Sequence, residues 1–320
     1  TDTPILFICI DEPSPTFKVY WNMPTFQCRS KKVTFTHIHA DFGIIQNEGD
    51  SFLGDKLSIL YHPGRFPSKV KDVYAHGGIP QRGDLQAHLE AFKKQVEKDI
   101  PDEAFDGIGI IDMERWRPIY HQNYGNFMFV KKESYRLERD IHGSSWKEDT
   151  LTKEFCAKLN FELSARKFME DTLAAAKEIR PLARWGYYGF PYCFNMEGKV
   201  KQETCSDKTR KENDESYWLW GESTALYPSV YSPRDLTSSQ LPALIKGRVS
   251  ESERVAAKVC SIVDLIDDLN TAFDTLYKSN ASGVIIWGSS GDVNTPNKCN
   301  ELLDYINKIF GPAVAKSSVT

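Results

Sequence analysis

Short apolar segments alternate along the chain with longer segments in which apolar residues recur every three or four positions. The short segments are bounded by Pro, Gly or Asn, which end extended structure, so they predict strands. The predicted strands are residues 17–21, 56–61, 107–112, 185–190, 226–231 and 283–288. The predicted helices are residues 85–100, 151–180 and 300–310. Strands that alternate with helices indicate βα units and a parallel sheet.

The two long helices carry signals for their ends and their buried faces. Asp84 is placed to cap the first helix, and Pro101 ends it. In the second helix, Phe155 and Leu159 follow the helical spacing, which predicts that both lie on the face that packs against the core. Pro181 ends this helix.

No linker rich in Pro, Gly or Ser divides the chain, so we predict one α/β domain over residues 1–320, with residues 1–16 as an irregular N-terminal segment. Residues capable of chemistry fall at the C-terminal ends of predicted strands, where (β/α) barrels and doubly wound sheets build their sites. These residues are Tyr61, Asp112, Glu114, Tyr188, Tyr231 and Trp287. No GxGxxG follows the first strand and no GxxxxGK[ST] occurs. We therefore expect no nucleotide cofactor, and no cofactor of another kind is indicated.

Composition and charge narrow the classes of partner. A net charge of -4 gives no reason to expect nucleic acid as a partner, although a local basic cleft for an acidic substrate remains compatible with it. No apolar stretch approaches the roughly 20 residues of a membrane span. The apolar run at residues 4–10 lacks a basic flank and is too short for a signal peptide, so we read the chain as a mature or trimmed form. Nothing in the sequence indicates the oligomeric state.

The cysteines favour a structural role over metal binding. They are Cys9, Cys28, Cys156, Cys193, Cys205, Cys260 and Cys299, and no CxxC pair occurs among them. No zinc cluster or other metal site is therefore expected. An odd number of cysteines leaves at least one free thiol or an intermolecular bond. Asn280 begins an N-glycosylation sequon, which gives weak support for secretion.

Two acids follow a buried-looking strand in the segment IGIIDMERWRP. If the strand continued, Asp112 and Glu114 would face the same side, with Cα atoms about 6.6 Å apart. Two carboxyl groups that close cannot both ionise cheaply, so one pKa should be raised, as a general acid for a glycosidic oxygen requires. The alternative is a pair of solvated acids that form salt bridges with Arg115 or Arg117.

Several motifs together resemble the hyaluronidases of glycoside hydrolase family 56, and the resemblance is closest to the insect venom and salivary enzymes. The acid pair lies within FDGIGIIDMERWRPIY, at residues 105–120. The other motifs are VYWNMPTFQC at 19–28, ILYHPG at 59–64, WGYYGFPYCFN at 185–195, PSVY at 228–231 and IIWGSS at 285–290. The resemblance runs from about Phe17 to Val314.

The resemblance implies a distorted TIM-like (β/α) barrel that hydrolyses β-1,4 bonds of hyaluronan after N-acetylglucosamine, with chondroitin as a second candidate substrate. Glu114 matches the family's acid/base, and Asp112 matches the residue that positions the substrate's acetamido group. In such enzymes the nucleophile is the substrate's own N-acetyl carbonyl, which is an exception to the scheme with two enzyme carboxylates. The partner implied is hyaluronan or a related glycosaminoglycan, and the protein is expected to be secreted.

Further residues match the family's substrate cleft. Tyr188 matches a tyrosine that bonds the acetamido group, and Arg117 would either contact a substrate carboxylate or hold the acid pair. The remaining matched cleft residues are Tyr61, Tyr231, Trp287, Ser289 and Ser290. For Trp287 the alternative is a core tryptophan that closes the barrel. The common family motif has Asp where this chain has His62, which would change local charge and pH dependence.

The resemblance also implies two disulfide bonds. Cys28 would pair with Cys299, and Cys193 with Cys205, which leaves Cys9, Cys156 and Cys260 unmatched. Sequence spacing alone does not give this pairing.

One segment departs from the family pattern. Between Val249 and Trp287 the family carries one more strand, but here the spacing of apolar residues from Val255 to Phe273 is helical. We therefore expect the penultimate barrel strand to be missing. The gap would be bridged by neighbouring strands with Ser261–Val263 as a remnant, or it would impair sugar binding, or the chain would fold badly.

Three functions follow from these observations. The first is an endo-glycosidase acting on hyaluronan, supported by the intact acids and Tyr188. The second is a catalytically impaired homologue that acts as a secreted glycan-binding protein or allergen, supported by the expected loss of a strand. The third is a chitinase-like barrel, which the absence of a DxxDxDxE motif disfavours.

Overall fold

The computed structural model describes residues 17–143, 150–196, 202–231, 236–237, 240–256, 260–261, 263–264, 275–276, 279 and 281–317. The strands are β1 (Lys18–Asn22), β2 (Ile45–Gln46), β3 (Leu57–Tyr61), β4 (Ser68–Val70), β5 (Val73–Ala75), β6 (Ile108–Asp112), β7 (Arg184–Tyr187), β8 (Ala225–Leu226), β9 (Cys260–Ser261), β10 (Val263–Asp264) and β11 (Gly283–Trp287). The helices are α1 (Ile38–Phe42), α2 (Leu85–Asp99), α3 (Met128–His142), α4 (Thr150–Ile179), α5 (Asp207–Glu215), α6 (Tyr217–Glu222) and α7 (Leu241–Val255). Pro296–Tyr305 and Gly311–Ser317 are α-helical, with π-helical Ile306–Phe310 between them.

The chain divides into two compact units. The first comprises residues 1–59, 104–110 and 182–320, and the second comprises residues 60–103 and 111–181. Strands β3 and β6 each begin in the first unit and end in the second. Among the described residues, no helix has both the length and the apolar character needed to cross a membrane.

A parallel sheet forms one part of the first unit. Its strand order is β10-β11-β1-β2, and Tyr20 of β1 pairs with Ile285 of β11. Val19 and Trp21 of β1 belong to a core cluster that also includes Phe35. The neighbours on β1 point the other way, as the alternation of side chains along a strand requires. Each face of this strand is therefore buried along its central part, which is why Val19, Tyr20 and Trp21 are all apolar or aromatic.

A second apolar cluster of the first unit gathers side chains from several strands. It is made of Tyr20, Leu57, Ile59, Ile108, Ile110, Ala225, Tyr227 and Ile285, with Tyr188 and Trp287 packed at its edge. These residues come from β1, β3, β6, β8 and β11 and from the segments that follow β7 and β8. Strands of three different sheets therefore share one core.

The second unit is built around helices α2, α3 and α4. Asp84 caps α2, because its carboxylate accepts the backbone N–H of Ala87 at 2.9 Å. The buried His88 ring accepts the backbone N–H of Arg65 at 2.8 Å and lies 2.9 Å from the Thr172 hydroxyl. Burial lowers the pKa of His88 to about 4, so this imidazole is a neutral core group.

The prediction of which residues of α4 are buried is wrong at the N-terminal end of the helix. Phe155 and Leu159 are 61% and 44% exposed, whereas Phe161 and Phe168 are buried. α4 has 30 residues, and an α-helix has 3.6 residues per turn. Apolar residues spaced three and four apart therefore drift around so long a helix and do not all face the same side. The register of the buried face is set by the later residues.

The helix expected over residues 255–273 is also wrong where the structure describes it. Helix α7 ends at Val255, and the strands β9 and β10 follow. Residues Cys260 and Ser261 pair with Ala225 and Leu226 of β8, and β10 pairs with β11 in parallel. The expected remnant at residues 261–263 is thus strand at two of its three residues, and the absence of a strand is not confirmed. Residues 265–274 lie outside the described part of the chain.

Candidate active site

Strand β6 carries the first acid to the end of a fully buried segment. Every residue from Ile108 to Asp112 is buried, and Asp112 itself is 7% exposed. The strand ends at this residue, so the expectation that Glu114 continues the alternation of a strand is wrong. Met113 is buried and Glu114 is exposed to solvent. The two acids therefore differ in environment, which is the condition for two carboxyl groups to take different roles.

Both acids have raised pKa values. Burial is the main cause of the raised pKa of Asp112, which reaches about 7, and the negative charge of Glu114 adds to it while Arg115 opposes it. Burial also raises the pKa of Glu114, and Arg115 and Arg117 oppose the shift. Although the Glu114 side chain is open to water, the protein around its carboxyl group removes part of the hydration. The pair can therefore hold a proton at mildly acidic pH.

One oxygen of Asp112 is poised for a ligand. Its Oδ1 atom is buried and has no hydrogen-bond partner among the described residues. The backbone carbonyl of the same residue accepts the backbone N–H of His62 at 2.8 Å. A buried carboxyl oxygen without a donor costs free energy, and a polar group of a bound substrate would remove that cost.

His62 lies beside the acid in an unusual backbone conformation. Its φ of 46° is in the left-handed region, which non-glycine residues adopt rarely. Its Nδ1 is buried and unpartnered among the described atoms, and burial followed by the charge of Arg115 lowers its pKa. This imidazole is therefore held neutral near the acid pair, where an aspartate would add negative charge.

The structure assigns Arg117 contacts within its own loop. Its guanidinium donates to the backbone carbonyl of Gln122 at 2.9 Å and lies 4.9 Å from the centre of the Tyr124 ring. Its backbone N–H donates to Asn123 Oδ1 at 2.9 Å. These contacts shape the segment that follows the acids, while the positive charge lowers the pKa of Glu114 against the effect of burial. Tyr61, at the end of β3, is 38% exposed.

In the first unit, Tyr188 follows the last residue of β7. Its hydroxyl donates to Ser229 Oγ at 3.1 Å. Gly189 adopts a φ of 83° and donates its N–H to the carbonyl of Tyr227 at 2.8 Å, which turns the chain directly after the tyrosine. Ser229 was not singled out by the sequence. Its place in the motif PSVY was the available signal, and its backbone carbonyl is bound by Arg248 at 2.6 Å.

Tyr231 and Trp287 form an aromatic pair. Their ring centres are 6.2 Å apart at 67°, an edge-to-face arrangement. Trp287 ends β11 as predicted, and it is partly buried against the apolar cluster of the first unit. The strand predicted over residues 226–231 is wrong beyond its first residue. β8 ends at Leu226, so Tyr231 lies in the segment after the strand and not at its end. The chain turns away from extended pairing near Pro228, which cannot donate a ladder hydrogen bond.

The two serines after Trp287 lie in a short 3₁₀ turn. Ser289 and Asp292 form a capping box, in which the carboxylate accepts the backbone N–H of Ser289 at 2.7 Å and its hydroxyl at 2.9 Å. The Ser290 hydroxyl accepts from Gln27 Nε2 at 3.0 Å. Both serines are exposed, and both hydroxyl groups already take part in local hydrogen bonds.

The structure contains the two disulfide bonds that the resemblance implied. Cys28 is bonded to Cys299 over a separation of 271 residues, and Cys193 to Cys205 over 12. Cys156 is a free thiol. Cys9 and the sequon residue Asn280 lie outside the described residues, and only the backbone of Cys260, in β9, is described. Within the described ranges, no group of three or more His, Cys, Asp or Glu residues is arranged to hold a metal ion.

The family profile and the similar proteins all point to the same family. The profile of the family described as hyaluronidase matches residues 11–266. A hyaluronidase of Dolichovespula maculata is 40% identical, and the match covers 97% of this chain and 99% of that protein. The hyaluronidase Tab y 2.0101 of Tabanus yao is 38% identical over 93% of this chain and 91% of its own length.

A solved structure agrees with the sequence matches. The crystal structure of bee venom hyaluronidase in complex with hyaluronic acid tetramer superposes with a TM-score of 0.89 at 38% identity. The superposition covers 94% of this chain and 99% of the bee protein. The mixed α/β architecture with parallel sheets is thus shared with that enzyme. The chain belongs to the hyaluronidase family, glycoside hydrolase family 56, and is a glycoside hydrolase.

Proposed function

We propose that the protein is a secreted endo-glycosidase that hydrolyses β-1,4 N-acetylglucosaminide bonds of hyaluronan and the corresponding β-1,4 N-acetylgalactosaminide bonds of chondroitin. The names of the relatives and the tetramer bound by the bee venom enzyme support hyaluronan as the substrate. Chondroitin has the same alternation of a uronic acid with an N-acetylated sugar. It differs at one hydroxyl of that sugar, so a site that recognises the acetamido group would accept both.

Glu114 is the proposed general acid. It protonates the glycosidic oxygen while the substrate's acetamido carbonyl oxygen attacks the anomeric carbon, which releases the leaving sugar and forms a cyclic oxazolinium ion. Glu114, now ionised, then takes a proton from the water that opens this ring, so the anomeric configuration is retained. Its exposure supports this role, because the carboxyl group is open to a substrate from solvent and already has a raised pKa. A bound sugar would displace water and raise that pKa further.

Asp112 is the proposed positioning group for the acetamido nitrogen. As the carbonyl oxygen attacks, positive charge develops on the amide, and a nearby carboxylate that accepts its N–H stabilises that charge. The buried Oδ1 atom, which has no partner in the described part of the chain, supports this role. Substrate binding brings a donor to this oxygen and so favours the ionised form of Asp112, and the displaced proton is then available to Glu114.

Aromatic and hydroxyl groups complete the proposed sugar site. Tyr188 would bond the acetamido group through a hydroxyl already oriented by Ser229. Trp287, held edge-to-face by Tyr231, would be the apolar floor. The other proposed cleft residues are Tyr61, Arg117, Ser289 and Ser290. The loop contacts of Arg117 favour a role in holding the acid segment over direct contact with substrate.

We propose that the strands form one distorted (β/α) barrel that acts as a single catalytic domain. The shared cluster of strand side chains in the first unit supports this, since the inward residues of a small barrel fill its interior. The pairings of β9 with β8 and of β10 with β11 lie where the family's penultimate strand is expected. They weaken the case for a catalytically impaired homologue, which depended on a missing strand.

The single observation that carries the proposed mechanism is the buried Asp112 with its raised pKa, two residues before the exposed Glu114. The test is release of reducing ends from purified hyaluronan between about pH 4 and about pH 7. Wild type is compared with Glu114→Gln and with Glu97→Gln, a control on an exposed acid of α2.

We expect Glu114→Gln to lose turnover by a factor of at least about 10² while Glu97→Gln keeps it, because general acid catalysis contributes about 10² to 10⁴. Circular dichroism checks that both variants fold. Turnover by Glu114→Gln within about threefold of wild type would reject the acid assignment. A folded wild type without hyaluronan cleavage would reject the enzyme and favour the glycan-binding homologue.

Secretion is part of the proposal and has separate support. Two disulfide bonds are typical of proteins that fold in an oxidising compartment. The test is the redox state of the protein isolated from its source tissue, after alkylation of free thiols. Recovery with four alkylated half-cystines at these positions would contradict an extracellular location.

A further inference from the structure

A basic groove lies in the second unit, beside the segment that follows the acid pair. It has a volume of about 730 Å³, which is within the range of ligand sites. We call it the α3 groove, since one face of α3 forms its main wall. The residues of that face are Met128, Lys131, Lys132, Tyr135, Arg136 and Arg139. Residues three, four, seven and eight positions apart on a helix share one face, so this is a continuous stripe.

The side chains that line the α3 groove are predominantly positively charged. Four cationic side chains line it, against the single carboxylate of Glu154. The whole chain has a net charge of -4, so overall composition does not explain this patch. A groove lined by one sign of charge raises the local concentration of ligands of the opposite sign.

The acidic residues of α3 neutralise the stripe only in part. Glu133 accepts hydrogen bonds from Arg82 at 3.1 Å and from Arg136, a cation of the groove, at 3.5 Å. Arg136 also lies 4.0 Å from Asp140. Asp140 lies 3.8 Å from Arg82 and 3.7 Å from Arg139, and both partners of that second pair are more than half exposed. Exposed pairs at such distances contribute little, so the cations keep most of their field.

Lys132 is the clearest free cation of the groove. It is exposed, and no carboxylate of the described residues lies within 4.0 Å of it. Lys131, by contrast, is anchored, because its ammonium donates to the carbonyl of His121 at 3.0 Å and lies 5.8 Å from the centre of the Tyr120 ring. The groove thus combines an anchored lysine with an exposed one that is accessible to a ligand.

Apolar surface lies between these charges. The Tyr120 hydroxyl donates to the backbone carbonyl of Lys131 at 3.3 Å, which holds its ring against the helix. Tyr135 lines the groove, and Met128 is 42% exposed. A chain of sugar rings presents apolar ring faces between regularly spaced carboxylates, and both features match this surface. Duplex DNA and membrane surfaces share the charge, but they do not expose apolar ring faces along a single chain.

We propose that the α3 groove is a second binding site for the hyaluronan chain, separate from the acid pair, that holds carboxylates of the polymer. This rests on the proposed function for the identity of the glycan. The site would retain a long chain between successive cleavages, so it would raise the affinity for polymer more than that for short oligosaccharides.

The test compares two double variants of equal charge change. Lys132→Gln with Arg139→Gln removes two cations of the groove. Lys94→Gln with Lys98→Gln removes two exposed cations of α2 and is the control. Both are made in a Glu114→Gln background so that the polymer is not cut. Affinities for long hyaluronan and for the hyaluronan tetrasaccharide are measured at low and at physiological ionic strength, after circular dichroism confirms folding.

We expect the groove variant to bind long hyaluronan about two- to thirtyfold more weakly, as the loss of two exposed ion pairs implies, with a smaller salt dependence. The control should bind as the parent does, and the tetrasaccharide should not distinguish the variants. Equal losses in both double variants, or no loss in the groove variant, would overturn the proposal. Equally tight groove-dependent binding of duplex DNA or of phosphatidylserine vesicles would also overturn it, since the site would then be a general polyanion patch.

This outcome is separable from that of the proposed function. Hyaluronan cleavage by wild type without groove-dependent binding would reject the second site and keep the enzyme. Groove-dependent binding without cleavage would keep the second site and reject the enzyme.

Discussion

Replacing Asp112 by Asn should stabilise the protein and disable it at the same time. The carboxyl group is buried at the end of β6, and its pKa is raised from 3.8 to about 7. The folded protein therefore holds a proton that the unfolded chain releases at lower pH. Ionising this group in the folded state costs free energy, and an uncharged amide of the same shape avoids that cost.

The size of this free-energy cost follows from the pKa of Asp112 in the unfolded chain and its pKa in the folded protein. Below about pH 3.8 both states are protonated and the group contributes nothing to stability. As pH rises, the unfolded chain ionises first, so the penalty grows and is complete above about pH 7. Proton linkage gives a penalty of about 4 kcal/mol at pH 8 and about 1 kcal/mol at pH 4.5. The gain from Asp112→Asn should therefore be about 3 kcal/mol larger at the higher pH.

The assay is urea unfolding of wild type and Asp112→Asn at both pH values, followed by circular dichroism. The control is Asp106→Asn, which replaces an exposed acid that precedes β6 and so makes the same chemical change without burial. A gain that is equal at pH 4.5 and pH 8, or a loss that grows with pH, would refute the assignment of a buried, protonated carboxyl group. If Asp112 holds the acetamido group as proposed, hyaluronan turnover should fall chiefly in kcat, since that contact would strengthen in the transition state.

Three further changes test the framework around the site. Cys28→Ser should destabilise the protein by about 5–6 kcal/mol in the chain-entropy account, because it opens a loop of 271 residues, and nonreducing unfolding measures this. Gly186→Ala should cost about 1–3 kcal/mol, because its Cβ would meet a backbone oxygen of β8, whereas Gly221→Ala, in α6 with open space around it, should be neutral or stabilise by up to about 1 kcal/mol; thermal unfolding of both variants measures this. His62→Asp should move the alkaline limb of activity to higher pH, because a carboxylate beside Asp112 raises the pKa values of the acid pair; an unchanged pH–rate profile would contradict this.

The strands that the sequence predicts best are those in which burial alone determines the run of apolar residues. β3, β6 and β11 were placed to within a residue, because each is an apolar run bounded by turn residues and buried on both faces. The helix after Asp84 was also predicted with its cap, since the capping side chain and the apolar stripe agree. Local signals suffice where they all point to one structure.

Other features depend on contacts that no local pattern contains. β8 and β9 are two residues long and exist because they pair with each other, so the apolar helical spacing around Cys260 was misleading. The exposure of Phe155 likewise reflects which turn of α4 meets a neighbour. The hairpin of β4 and β5 was missed because its exposed strands carry a mixed polar pattern.

Asp112 and Glu114 lie in different surroundings, which the spacing of the two acids did not predict. The alternation of a strand predicted a common environment for Asp112 and Glu114, but the strand ends between them, and only the first acid is buried. This difference in burial suits the proposed chemistry better than two acids in the same environment would. A buried acid is held in place and keeps its proton until substrate supplies a donor, while an exposed acid can reach the glycosidic oxygen and exchange protons with water. The position where β6 ends therefore determines which carboxyl group can take each role.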